Sequence, residues 1–157
     1  MGTRPASRVQ VSPRAFFIHR ASKMQKEIAI KTTKHDEFLD ITPRINRIVK
    51  DSGIKEGICI AFCPHTTAAI TINENADPDV IKDILTSLDK KIPWEDEYRH
   101  SEGNSAAHIK SSLVGCSESM IIEEGKLLLG TWQSVFFCEF DGPRTRKVIV
   151  KLSDSEK

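Results

Sequence analysis

The stretch His65-Thr-Thr-Ala-Ala-Ile-Thr-Ile-Asn-Glu-Asn-Ala-Asp-Pro78 alternates between polar and apolar residues. Read as a strand, it places His65, Thr67, Thr71 and Asn73 on one face and Thr66, Ala68, Ile70 and Ile72 on the other, because successive side chains point to opposite sides of a sheet. One face can enter a core, while the other sets out an imidazole, hydroxyls and an amide. The strand ends in carboxylates and a helix start, since Asp77-Pro78 is a cap followed by the residue favoured at the first helical position.

Working outward, the stretch 57 to 63 is apolar on both faces and reads as a central strand ended by Pro64. Thr42-Pro43 opens a helix with Ile45, Ile48 and Val49 as its stripe and Gly53 as its stop. A second helix follows Asp77-Pro78, with Val80, Ile81, Ile84, Leu85 and Leu88 on one face and Lys90 and Lys91 at its negative end. Residues 26 to 33 read as a strand, and Phe38 to Ile41 is a short apolar piece. Residues 118 to 122 and 127 to 129 form a hairpin around Glu123-Glu124-Gly125-Lys126. Residues 131 to 140 and 147 to 152 are strands separated by the Gly142-Pro143 turn. Ile109 to Gly115 is ambiguous. Many strands with two clear helices, in no regular alternation, give an α+β class rather than a doubly wound parallel sheet.

At 157 residues the chain fits one domain. Residues 1 to 26 carry six of the 23 basic residues and no acid, leaving 17 basic against 22 acidic residues in the remainder. A mildly acidic body argues against non-specific nucleic-acid binding. No apolar run reaches membrane-spanning length. The basic start, residues 1 to 23, fits a disordered arm, a targeting peptide or an upstream start codon; an arm or a start-site artefact is the favoured reading, with the domain over 24 to 157. Cys59, Cys63, Cys116 and Cys138 form no Cys-x-x-Cys pair and read as small buried hydrophobes in a reducing compartment, which places the protein in the cytoplasm.

Three histidines lie near irregular polar segments: His65, His100 and His108. Three imidazoles and a water make an open metal site. His100 and His108 would stand roughly 26 Å apart on one strand and about 12 Å apart on one helix. They converge only through a bend, and Glu102-Gly103-Asn104-Ser105 is a bending sequence. In Asn73-Glu74-Asn75, amides and a carboxylate near a helix start can hold a metal or position a phosphate, or simply form the turn. Trp132 and Gln133 follow Gly130 at a strand start and read as core or as a site edge. Arg144 on the turn can hold a phosphate through two donors, with Arg146 as its rival.

His65-Thr66-Thr67-Ala68, Asn73-Glu74-Asn75, Tyr98-Arg99-His100, Ala107 to Leu113, Gly130 to Gln133 and Asp141 to Arg144 occur in an order that resembles YjbQ-like proteins, often labelled secondary thiamine-phosphate synthase enzymes. The resemblance covers about residues 24 to 152. It implies a single compact domain with a largely antiparallel sheet or sandwich, two or three helices, and assembly as a homotrimer. It implies His65, His100 and His108 as ligands of a divalent metal ion, zinc or magnesium. Asn73, Asn75, Trp132 and Gln133 become substrate-binding residues, and Glu74 and Arg144 catalytic ones. The expected activity couples a pyrimidine diphosphate to a thiazole phosphate. A metal-dependent hydrolase of a phosphorylated metabolite and a non-catalytic phosphate-binding trimer are the alternatives.

Overall fold

The computed structural model describes residues 24–155; the basic arm expected over residues 1 to 23 lies outside them. In chain order the elements are β1 (Met24–Lys31), β2 (Glu37–Asp40), α1 (Thr42–Ser52), β3 (Gly57–Phe62), β4 (Ala68–Glu74), α2 (Pro78–Lys91), α3 (Ser105–Val114), β5 (Ser117–Glu123), β6 (Lys126–Leu127), β7 (Gln133–Glu139) and β8 (Thr145–Asp154). The expected α+β class holds. The strands form a five-stranded sheet, β1-β8-β3-β5-β6, and a three-stranded sheet, β2-β7-β4. Every pairing is antiparallel.

The two sheets face each other across one core. Ile28 and Ile30 of β1, Cys59 and Ala61 of β3, and Val148, Val150 and Leu152 of β8 meet Ile70 of β4 and Phe137 of β7, with Ile45 and Val49 of α1 closing the edge. Each of the buried Ile, Val, Leu and Phe side chains contributes roughly 1.5–3 kcal/mol by leaving water. The reverse face of the three-stranded sheet carries Ala69, Phe136 and Cys138. Packed there are Ala107 of α3, Ile81 and Leu88 of α2, and Phe140. Helix α3 occupies the segment that sequence left ambiguous, because Ala106, Ala107, Lys110 and Ser111 are all buried at helical spacing.

Local signals place most boundaries. Asp77 caps α2 by accepting the Asp79 N–H at 2.9 Å, and Gly53 ends α1 with φ at 74°. Thr42 does not cap α1 with its side chain; its hydroxyl accepts the Val135 N–H at 2.8 Å, and Asp40 takes the Thr42 N–H. The hairpin turns at Glu124 and Gly125, both at positive φ, the conformation that suits the twist of a two-residue loop.

Strand β3 is central, between β8 and β5, as its apolar run suggests. Its second face is nevertheless bare. Ile58, Ile60 and Phe62, with Ile121 of β5, are 39–57% exposed on the outside of the five-stranded sheet. A contiguous apolar patch of this kind is a feature of surfaces that meet another body.

Candidate functional site

The His65 segment is not the start of a strand. Pro64 has no N–H to continue the β3 ladder. The chain leaves one sheet there and enters the other at Ala68. Residues 63 to 67 are the corner between the sheets, and five hydrogen bonds hold it. The Cys63 N–H donates to the Cys116 carbonyl at 2.8 Å, and the Phe140 N–H donates to the Thr67 carbonyl at 3.2 Å. The Ser111 hydroxyl donates to the Thr66 carbonyl at 2.5 Å. The Lys147 N–H donates to His65 Nε2 at 3.0 Å, and Arg146 Nη2 donates to Thr67 Oγ1 at 2.8 Å.

The expected row of polar side chains is therefore broken up. Thr67 is buried and committed to Arg146, Ala69 turns toward α3, and Asn73 accepts its neighbour's N–H from Glu74 at 2.8 Å. Burial and the nearby Arg146 guanidinium lower the His65 pKa from its ordinary value. A ring whose Nε2 accepts a hydrogen bond must be neutral there, which fits that direction.

Beneath the corner lies a buried ion pair. Arg146 grips Glu139 with Nε on Oε2 at 2.8 Å and Nη2 on Oε1 at 2.6 Å. Glu139 is fully buried and its acceptors are filled: Thr32 Oγ1 donates at 3.2 Å, and the Phe140 and Asp141 N–H groups donate at 3.2 and 3.1 Å. Sequence reasoning missed Glu139; it left Arg144 and Arg146 as rivals, and only the family resemblance pointed to Arg144. The signal was a lone carboxylate inside the apolar run Val135 to Phe140, a position that demands a buried cation. Gly142 fits only as glycine, because a Cβ there would stand 2.2 Å from the Lys34 carbonyl oxygen.

The bend expected between His100 and His108 exists. The Gly103 N–H donates to the His100 carbonyl, Gly103 has φ at 74°, and α3 begins at Ser105. The two imidazoles meet edge to face with centroids 5.3 Å apart. Asp141 joins this cluster to the Arg144 turn: its Oδ2 accepts from Asn104 Nδ2 at 3.1 Å and from Arg144 Nη2 at 2.7 Å. Asn104, at the cap of α3, keeps a buried Oδ1 with no hydrogen-bond partner among the described residues.

Among the described residues, no group of three or more His, Cys, Asp or Glu side chains gathers closely enough to hold a metal ion. Within one chain His65 does not gather with His100 and His108: a bend of the chain pairs the last two, while the Lys147 N–H engages the first.

The remaining expected site residues lie elsewhere. Strands β4 and β7 run antiparallel, so Ala68 pairs with Glu139 at one end and Glu74 with Gln133 at the other. Six residue steps along the strand separate these pairs, about 20 Å. Arg146 and the Asp141 turn sit at the first end, and Asn73, Glu74, Asn75, Trp132 and Gln133 at the second. There the Asn75 N–H donates to the Trp132 carbonyl at 2.8 Å, Asn75 Nδ2 donates to Asp40 and Ser134, and Gln133 Oε1 accepts the Gly130 N–H at 2.8 Å. Trp132 is 65% exposed over a shallow hollow of about 370 Å³ lined by residues 130 to 133. It is neither core nor beside the histidines.

A second buried cation lies behind α3. Lys110 donates to Asp36 at 2.6 Å and also to Asp89. Burial opposes its charge, but the two carboxylates outweigh that and raise its pKa. It is an anchor between α3, α2 and the β1–β2 loop rather than a neutral amine.

Comparison with known proteins assigns the class. The sequence model of the family described as UPF0047 protein YjbQ-like matches residues 26–155. The chain belongs to that family. It is 57% identical over 130 residues to the UPF0047 protein YugU of Bacillus subtilis, covering 82% of this chain and 98% of that protein. It is 56% identical over 130 residues to a UPF0047 protein of Methanocaldococcus jannaschii, covering 83% and 94%. Among solved structures, an uncharacterised conserved protein of the family from Clostridium acetobutylicum superposes with a TM-score of 0.80 at 58% identity, covering 81% of this chain and 98% of that one. A YbjQ-like protein of unknown function from Sulfolobus solfataricus gives a TM-score of 0.81 at 35% identity, covering 85% and 98%.

Proposed function

We propose that this protein is an enzyme acting on small phosphorylated metabolites, by transfer chemistry of the thiamine-phosphate synthase type. In that reaction a pyrimidine diphosphate is joined to a thiazole phosphate and diphosphate leaves. The observation that carries the reading is the pairing of His100 and His108 at the first turns of α3, linked through Asn104 and Asp141 to Arg144. Imidazoles, a guanidinium and the N-terminal end of a helix are together suited to an anionic ligand. An imidazole can also protonate a leaving phosphate oxygen as general acid. Arg144 would hold that oxygen's charge as it develops.

Trp132, with Gln133, Asn73, Asn75 and Glu74, would serve the pyrimidine from a neighbouring copy, since one chain holds the two groups apart. The uncovered apolar face of the five-stranded sheet supports assembly, and a homotrimer is the form proposed. A divalent ion would belong to the site only if a second copy supplied a missing ligand, so no chemical step is routed through one. Elemental analysis of the purified protein, with His65→Ala as control, tests the metal.

A hydrolase of a phosphorylated metabolite is the second reading. It is favoured by the distance between Trp132 and the histidines within one chain, which leaves the phosphate-binding end without an aromatic platform. Incubation of the pure protein with both coupling substrates, with and without chelator, separates the two. A coupled product lost in Arg144→Ala supports the first; release of phosphate without coupling supports the second. No turnover of either kind would overturn both.

A further inference from the structure

The β3–β5 ladder runs one residue past its regular end. Its register pairs Phe62 with Ser117, so the next opposed pair is Cys63 and Cys116, and the Cys63 N–H donates to the Cys116 carbonyl at 2.8 Å. Directly opposed residues of antiparallel strands carry their side chains on the same face. Their Cα atoms lie about 5.5 Å apart in a hydrogen-bonded pair, inside the span of roughly 4.4–6.8 Å that disulfides occupy. One thiol is exposed and the other buried. The Cys63 sulfur lies near the His65 backbone N–H and the Arg146 guanidinium, both of which favour its thiolate.

We propose that Cys63 and Cys116 form a thiol–disulfide modification site, closed by low-molecular-weight disulfides, that acts on the His65 corner. The exposed Cys116 thiolate attacks one sulfur of oxidised glutathione, and the first glutathione leaves as a thiolate. The Cys63 thiolate then attacks the Cys116 sulfur of this mixed disulfide and displaces the second glutathione. Two electrons pass from the protein sulfurs to glutathione. The two protein thiol protons end on the two glutathione thiols, so the exchange balances without any further oxidant.

The second step is the slow one. Burial pushes the Cys63 thiol up to about 11; the His65 N–H and the Arg146 guanidinium pull against that rise, while Cys116 and the Glu139 carboxylate add to it. Closure should therefore speed up as pH increases. It removes the Cys63 sulfur from the His65 N–H and ties the start of the corner to the chain leaving α3. Cys59 and Cys138 are buried, with thiols raised by burial, and offer no exposed sulfur for the first attack.

The test is peptide mapping of the intact protein after treatment with oxidised glutathione and alkylation of remaining thiols. The expected product is a single Cys63–Cys116 cross-linked peptide, reversed by dithiothreitol. Cys116→Ser should give neither cross-link nor adduct, and Cys63→Ala should stop at glutathione on Cys116. Oxidation of the unsubstituted protein should also shift the Lys147 amide resonance, the reporter of the His65 ring. A glutathione adduct that persists on Cys116 in the unsubstituted protein, a link to Cys138 or between two copies, or no reaction of the folded protein would each overturn the proposal. The mapping needs no assay of activity, so its outcome is independent of the enzymatic reading.

Discussion

Arg146 of β8 and Glu139 of β7 form a two-pronged ion pair at 2.6 and 2.8 Å that joins one sheet to the other under the His65 corner. The Glu139 oxygens are also filled by Thr32 and by the Phe140 and Asp141 N–H groups, and Arg146 reaches on to Thr67, so the pair anchors a small polar island between the sheets. Replacing one partner leaves the other charge buried. Arg146→Ala is expected to cost about 3–5 kcal/mol of folding stability. Urea denaturation checks this, and a loss under 1 kcal/mol would mean that Glu139 finds another donor.

His65 supplies a pH prediction. Its folded pKa is lowered, so the unfolded chain binds its proton more tightly than the native protein does. Stability from this group is complete above the unfolded histidine value of about 6.5. It is lost as pH falls from there toward the folded pKa, because stability rises with pH wherever the unfolded state holds more protons. A histidine NMR titration should show His65 titrating below a free imidazole, with the Lys147 amide moving in step. A His65 midpoint above that of free imidazole would contradict the geometry.

Lys110→Met keeps the length of the chain and removes the charge that Asp36 and Asp89 share. The expected loss is about 2 kcal/mol, in the range of hydrogen bonds to charged groups. Asp89 is largely exposed and can be rehydrated, which keeps the effect below that at Arg146. Thermal unfolding of the variant measures it.

Gly142→Ala should destabilise by roughly 1–3 kcal/mol, the range of overpacked sites, because the added carbon meets the Lys34 carbonyl and the Glu139 side chain. A variant as stable as the parent would show that the β1–β2 loop yields freely.

Ile60→Lys tests the bare sheet face. Ile60 is 40% exposed, so the isolated fold should lose little stability. Light scattering should show a multiple of the chain mass for the parent and a lower mass for the variant. Equal masses would exclude this face from the assembly.

Much of the fold was legible from local signals. Asp77-Pro78, Gly53 and the Glu124-Gly125 turn fixed element ends because capping and positive φ are decided within a few residues. The bend between His100 and His108 was legible for the same reason. What sequence concealed was long-range. Alternation through His65 to Asn73 resembled one strand, yet Pro64 and the change of sheets made its first residues a corner. Glu139 was hidden because its partner Arg146 belongs to another strand. Cys116 was read as buried, but it lies exposed where α3 hands over to β5. The separation of Trp132 from the histidines follows from the antiparallel pairing of β4 with β7, which periodicity cannot reveal.

That pairing acts as a molecular ruler. The two polar ends of β4 and β7 stand about 20 Å apart on a stiff, doubly paired strand. A compound the size of a thiazole phosphate can touch one end of a given chain and never both. Any ligand found bridging His100 and Trp132 of the same molecule must be an extended one. A compact ligand seen against both residue types would instead report, from its size alone, that two copies of the chain have met around it.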